Sequence, residues 1–413
     1  MAAAASNKTC GAGAAYGADI AGLRIVATME TDVDEALALS YKSDAIHIYS
    51  SSWGPTDDGK RLEGPGSLTQ MALENTVRTG RGGLGNIYVW AGGNGKLRGD
   101  NANYDGYANS RYTIAVGATD HKGKQAYYSE SGAPLIACAP SDGDSAYITT
   151  INLSACKYDF GGTSAVAPMI SGVIALMLHA NPKLGWRDVQ HILIHSAEQN
   201  DPTDSDWKLN GAGLHVNHKY GFGRVNAAKA VDLSYKWQNA PKEPTTSFGV
   251  GKVDQLIPDN DSAGVSSAIS ISDSFRLEHV EVIFQATHPY RGDLKIVLTS
   301  PSGTQSVLAE LHSDSNADYD NWKFMSARHW GESSAGTWTL NVSDLRSGNT
   351  GTFDTWGLIL YGNYPDLSDV IGISRLIADI PTAGKFMIDV NRDKKVGMEE
   401  LIWLLQYLAG LRQ

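Results

Sequence analysis

Long apolar runs, cysteines and excess positive charge are all scarce in this chain, and each scarcity removes a class of function. No apolar stretch reaches the length expected of a bilayer-spanning helix. Net charge is −11 over 413 residues, which argues against nucleic acid as a partner. The first six residues, MAAAAS, lack the basic start and long apolar core of a secretory signal. If the parent protein is secreted, its targeting segment lies outside this chain. The three cysteines, Cys10, Cys138 and Cys156, have spacings that fit no zinc pattern. On their count alone, three buried thiols of a cytosolic protein and one bridge with a spare thiol both stay open.

What is present divides into two textures. The length suffices for two or three domains with sizeable cores, and 42% hydrophobic with 19% charged residues suits a soluble globular protein. Residues 20–26 (IAGLRIV), 45–50 (AIHIYS), 87–91 (IYVWA) and 112–118 (YTIAVGA) read as strands. Residues 31–43, 68–78, 186–196 and 227–235 carry helical periodicity. Alternating strands and helices predict a parallel α/β sheet, whose sites gather at the carboxyl ends of the strands. Residues 238–246, QNAPKEPTT, read as a polar linker. Beyond it, HVEVIFQA, LKIVLTSP, TWTLNVS and TWGLILYG alternate with period two between turn residues, the pattern of an antiparallel β-sandwich.

One stretch organises the rest: residues 161–168, GGTSAVAP, followed by MISGVIALML. A small-residue loop sets one hydroxyl, Ser164, before Pro168 and a run that reads as the start of a buried helix. Alone, such a serine is as well read as a helix N-cap. Residues 161–168 resemble the serine motif of the subtilisin-like proteases. Upstream, HIYSSSWGPTDDGKRLEGP (47–65) and GRGGLGNIYVWAGGNG (80–95) resemble the kexin/furin branch, the proprotein convertases. Downstream, RGDLKIVLTSPSGT and NWKFMS…HW…GTWTLNV resemble the P domain of that branch. The RGD triplet at Arg291–Asp293 fits that strand motif and not an adhesion site.

The resemblance implies a subtilisin-like α/β parallel-sheet domain over 1–237, a linker at 238–246 and a jelly-roll-like P domain over 247–363. A linker at 364–384 then leads to a short helical tail at 385–413. It implies a serine endopeptidase acting on polypeptides after basic residues, with Ser164 as nucleophile and Asn94 as oxyanion donor. Glu35, Asp57, Glu63 and Asp105 match positions lining basic-residue subsites. Asp57, Asp100 and Glu130 match a Ca²⁺ site, and hard oxygen ligands from three segments suit that ion. Asn7, with backbone carbonyls of Ala4, Thr9 and Gly11, matches part of another. Cys10 and Cys156 match a bonded pair; Ala102 and Gly132 occupy the positions of a second, missing bridge. Each residue also has a bland reading: a turn asparagine beside glycine, solvated acids in an acidic protein.

Two further expectations concern what frames the site. None of the eleven histidines lies in the family's HGT context. The match places that histidine a few residues before Met1 and the acid further upstream, so this chain is expected to hold half a catalytic site and to be inactive alone. The alternative is a non-catalytic binding module. Residues 389–400, DVNRDKKVGMEE, put Asp389, Asn391, Asp393 and Glu400 at calcium-loop positions 1, 3, 5 and 12. Lys394 replaces the turn glycine, and the segment resembles half a dockerin or a lone EF-hand. A capped solvated helix reads it equally simply. The resemblance points to a secreted, cell-surface or periplasmic location.

Overall fold

The run IYVWA has no polar position, so as a strand it must be covered on both faces. In the computed structural model it is β2 (Ile87–Ala91), buried throughout. The structure describes all residues except 27–30, 154, 242, 250–251, 366–369, 372–373, 375–376, 379–394 and 410–413. β1 (Ile48–Ser51), β2, β3 (Thr113–Thr119) and β4 (Leu135–Pro140) form a parallel sheet in that order.

α1 (Asp32–Ser40) opens on a capping box between Thr31 and Asp34. α2 (Ser67–Gly83) is capped from outside: Leu68 N and Thr69 N each donate to the Asp32 carboxylate at 2.9 Å. α3 (Thr163–Ala180) packs on all four strands, while α4 (Trp186–Ser196) and α5 (Ala227–Lys236) complete the layer. The hairpin β5 (Ile148–Ile151) and β6 (Cys156–Phe160) is tied to the N-terminal segment by the Cys10–Cys156 disulfide. Cys138 is a free, buried thiol on β4, and burial pushes its pKa up.

Four expectations need correction. Residues 20–26 form no strand, because no neighbouring ladder takes their backbone groups; Ile20 and Val26 stay exposed and Leu23 packs on the core. The first strand begins at Ile48, leaving His47 just ahead of it. α3 is long and apolar enough to cross a membrane, contrary to the reading of the sequence, but most of it is buried inside the protein. Finally, α3 starts at Thr163, so Pro168 lies inside it. Proline has no N–H to give the carbonyl four residues back. That carbonyl belongs to Ser164, and it accepts from Ser52 Oγ at 3.0 Å instead.

The chain forms two compact units. The first is Met1–Asp206 with Asn217–Asn239 and His312–Asp314; the second is Trp207–Val216 with Ala240–Leu311 and Ser315–Gln413. The second unit opens with the small hairpin β7 (Lys208–Leu209) and β8 (His215–Val216). Its strands are β9 (Thr245–Gly249), β10 (Gln255–Ile257), β11 (Asp261–Ile271), β12 (Arg276–Thr287), β13 (Leu294–Thr299), β14 (Gln305–Ala309), β15 (Tyr319–Ser326), β16 (Gly336–Asp344) and β17 (Gly351–Asn363). They make two antiparallel sheets, β10-β17-β12-β15 with β9 on β17, and β11-β16-β13-β14. The expected linker, 238–246, therefore ends inside β9. Trp330, Trp338 and Trp356 fill the core. Asp293 of the RGD triplet is buried and paired with Arg346 at 3.3 Å. α6 (Met398–Leu408) packs Leu404 on Val370.

The β7–β8 hairpin is fixed by polar contacts within the second unit. Asn210 Nδ2 donates to the carbonyls of Arg328 and Trp330, at 3.0 and 2.9 Å. Buried Glu332 accepts from Gly211 N (2.8 Å), Ser300 Oγ (2.7 Å) and Ser302 Oγ (2.6 Å). Removing that carboxylate takes a buried charged acceptor from three donors, although Gly211 N keeps Thr304 Oγ1 (3.1 Å) and the two serine hydroxyls keep each other (2.9 Å). Glu332→Ala is expected to destabilise the second unit by about 2–3 kcal/mol, and Glu332→Gln by less. Denaturant unfolding followed by tryptophan fluorescence checks this; an unchanged midpoint for the alanine variant would contradict it.

Candidate active site

The site is assembled where β2 ends and α3 begins. Gly162, at φ +76, turns the chain into α3 in a conformation that side chains resist. Its amide donates to Asp142 Oδ1 (2.7 Å) and its carbonyl accepts from Ser141 Oγ (2.8 Å). The turn leaves Ser164 half-buried in the first turn of α3. Ser164 Oγ lies 3.5 Å from Ser52 O. Among the described residues, no histidine hydrogen-bonds this hydroxyl.

Asn94 follows β2 and is exposed. Its Oδ1 accepts from Thr163 N (2.9 Å) and Thr163 Oγ1 (3.0 Å). Its Nδ2 donates to Asp57 Oδ2 at 3.3 Å, and its backbone N donates to the same oxygen at 3.0 Å. The asparagine thus clamps the residue before Ser164 and holds an acid with its other end.

Asp57, Asp100 and Glu130 each present a carboxylate oxygen within 4.8 Å of the others. Among the described residues none of the three forms a salt bridge. Each is steered by a backbone amide: Asn94 N to Asp57, Gly59 N to Asp100 (2.9 Å) and Gly95 N to Glu130 (2.8 Å). Gly93 is required here on space as well as on its φ of +100, since a Cβ would come within 2.2 Å of the Glu130 carboxylate. Burial, then the neighbouring acids, raises Asp100 to about 6 and Glu130 well above the usual range. A compact set of uncompensated oxygens fits a hard divalent cation.

Asp105 lies beside this set. Its Oδ1 accepts from Tyr107 N (2.7 Å), and Gly54 opposite leaves room for its Oδ2, which a Cβ would meet at 2.8 Å. Burial first, with Asp57 and Asp100 adding, pushes it up to about 7. Glu63 bridges Asp105 through the backbone, Gly106 N donating to Glu63 O at 2.8 Å, while its side chain pairs with Arg61 at 3.4 Å. Glu35 accepts from Tyr107 Oη (2.6 Å) and Thr69 Oγ1 (3.4 Å); Tyr107 stacks on Trp90.

Ser164, Asn94, Asp57, Asp100, Glu130 and Asp105 therefore meet in one place. Asn7 does not join them; it is exposed and its Oδ1 accepts from Thr9 N at 3.0 Å. Asp389, Asn391 and Asp393 lie outside the described residues. Glu400 is buried at the start of α6, accepting from Gly397 N at 2.7 Å. Reading the sequence missed Ser52, Thr163 and Tyr107, which hold the candidates in place. The three consecutive serines before WGP were the available signal for the first.

A model of the subtilase family matches residues 1–223, and one of the proprotein convertase P-domain matches 277–360. The chain is 42% identical over 378 residues to proprotein convertase subtilisin/kexin type 5 of Homo sapiens, covering 88% of this chain and 20% of that protein. It is 43% identical over 378 residues to type 6 of Rattus norvegicus, covering 88% and 40%. It is 40% identical over 388 residues to type 4 of Mus musculus, covering 89% and 58%. The chain thus spans about a fifth of the length of the type 5 relative. In fold it is similar to the serine protease of Aeromonas sobria, with TM-score 0.72 at 21% identity over 82% of this chain and 75% of that one.

Buried acids with raised pKa bind protons more tightly folded than unfolded, so the stability they contribute is lost as pH rises. For Asp100 and Asp105 the window runs from about pH 4, the unfolded value, to about 7. In chelator, the melting temperature of the first unit is expected to fall across that window. Added calcium should restore it most at the alkaline end, where protons compete least. Calorimetry in chelator and in calcium tests both; a chelator profile that climbs through the window would refute the assignment.

Proposed function

The chain belongs to the subtilase family, and we propose that it is the serine-bearing part of a calcium-dependent, kexin/furin-type endopeptidase that cleaves polypeptides after basic residues. The observation that carries this reading is the Asn94–Thr163 clamp, which brings Ser164 beside an acid-lined pocket.

Ser164 Oγ attacks the scissile carbonyl carbon while its proton passes to a base. Asn94 Nδ2 turns from Asp57 to the oxygen on which negative charge develops; such a donor contributes about 10²–10³ in turnover. Asp105 receives the P1 guanidinium, with Asp57 beside it. A planar arginine fork gains two charge-assisted hydrogen bonds there, and lysine gains fewer. Glu35 and Glu63 favour a second basic residue further upstream in the substrate. Asp57, Asp100 and Glu130 would hold calcium, whose charge offsets theirs and stiffens the pocket wall. Asn7 would be one ligand of a second ion.

The reading assigns the general base and its orienting acid to a polypeptide segment outside this sequence, since no described histidine reaches Ser164. That same observation favours the second reading, a non-catalytic binding module. The Cys10–Cys156 bridge supports an oxidising compartment, hence a secreted, cell-surface or periplasmic protein. In the segment from 389, Asp389, Asn391, Asp393 and Glu400 would form a further calcium loop. Glu400 Oε1, buried and without a hydrogen bond among the described residues, is left for such an ion.

Alone, the chain is expected to hydrolyse a fluorogenic arginyl amide in calcium buffer no better than about 10³–10⁴ over water. Joined to a segment supplying the acid and histidine, it should cleave robustly, prefer arginine at P1 and lose that preference with Asp105→Ala. A joined enzyme that stays inert supports the binding module. One that is active with an apolar P1 preference rejects the specificity.

A further inference from the structure

His312–Asp314 belongs to the first compact unit, although the chain on either side, Ala240–Leu311 and Ser315–Gln413, belongs to the second. These three residues lie between β14 and β15 in sequence. His312 is buried. Its ring stacks on Tyr104 with centroids 4.4 Å apart and planes 25° apart. Its Nδ1 is 3.3 Å from Tyr104 Oη. The same side chain also faces Gly99, where a Cβ would meet His312 Cβ at 3.5 Å. One histidine thus touches both ends of the segment 99–104, which contains Asp100 and runs directly into Asp105.

Regular structure is not what holds that segment: Asp100 N donates to Gly95 O (3.2 Å) and Ala102 N to Ser131 O (3.0 Å). Only Lys96–Arg98, just ahead of it, is helical, and the rest is turns and an isolated bridge. Tyr104 is buried, its N donates to Asn101 O (2.8 Å), and its O accepts from Glu63 N (3.2 Å). The backbone of Tyr104 leads directly into Asp105, whose carboxylate is then aimed by Tyr107 N (2.7 Å). The side chain of Tyr104 is in turn fixed by His312.

We propose that His312 is a positioning residue for the P1 pocket: by stacking on and hydrogen-bonding Tyr104 it fixes segment 99–105 and so sets the pocket's affinity for a cationic side chain. The specificity site would thereby depend on a residue supplied by the sequence of the β-sandwich. This inference rests on the assignment of Asp105 to the P1 pocket.

The test needs no turnover. p-Aminobenzamidine, an amidinium that brightens on leaving water, is titrated into the full chain in saturating calcium. The wild type is expected to bind, and Asp105→Asn to abolish binding. His312→Ala should weaken it about tenfold, the size of one good hydrogen bond. His312→Phe, which keeps the stack, should weaken it less. Tyr104→Phe should match His312→Phe, and the double variant should be no worse than either single one, because both remove one shared hydrogen bond. A purely structural role would lower the melting temperature and leave the affinity of the folded protein unchanged. Near-UV circular dichroism reports folding, and His312→Phe decides if His312→Ala does not fold. Wild-type binding that is lost in Asp105→Asn but indifferent to His312→Ala and His312→Phe overturns this inference alone. Absence of wild-type binding, or binding indifferent to Asp105→Asn, overturns the pocket assignment and this inference with it.

Discussion

Crowded carboxylates set the terms for everything around them. Asp57, Asp100 and Glu130 put three acids together, Glu130 buried and the other two half-buried. Like charges so placed repel, and burial removes the solvent that would screen them. The local structure answers with backbone amides aimed at each acid and with glycines where a side chain would collide. Gly93 and Gly95 lie against Glu130 and Asp100. These devices reduce the cost of the cluster and do not cancel it, which is why Asp100 and Asp105 hold protons to about 6 and 7. The proposed metal within the triad and the proposed basic side chain against Asp105 would each supply the opposite charge that the acids lack.

The sequence was legible wherever one local rule decided the outcome. IYVWA could only be a doubly covered strand, and WRDVQHILIHS is helical between the limits its periodicity gives. The sandwich strands followed from strict alternation. Reading failed where the outcome depends on a distant partner. Residues 20–26 carry a strand's composition, but a strand exists only with a ladder to join. Pro168 looks like a helix start because sequence shows the missing N–H and not the Ser52 hydroxyl that replaces it. The β4 run LIACAP is short and rich in alanine, so its burial is evident only in the sheet.

The candidate site was legible as a list of residues and not as an arrangement. Motif positions named Ser164, Asn94 and the acids. They did not show that Asn94 is engaged at both ends, with Thr163 on its oxygen and Asp57 on its nitrogen. This matters chemically. An amide anchored by its oxygen can swing its nitrogen only about that anchor, so in an oxyanion role it would act as a partly preorganised donor. It also means the nitrogen must leave Asp57 to serve a substrate. If Asn94 and Asp57 have the roles proposed above, a cation at Asp57 would weaken that acid's claim on the amide, and metal binding and oxyanion stabilisation would be coupled through one oxygen.

The same economy explains the run SSWGPTDDG. Ser52 supplies the carbonyl of Ser164 with the donor that Pro168 lacks. Trp53 offers its carbonyl to Trp90 Nε1 at 2.7 Å, anchoring the loop to β2. Gly54 leaves room for the Asp105 carboxylate. Asp57 takes both nitrogens of Asn94. Gly59, at φ +63, gives its amide to Asp100. Within these nine residues, separate atoms reach α3, Asn94, Asp105 and Asp100. A loop that serves four elements cannot shift to suit one without disturbing the others. Its rigidity therefore comes from the number of partners it must satisfy at once, not from any regular structure of its own.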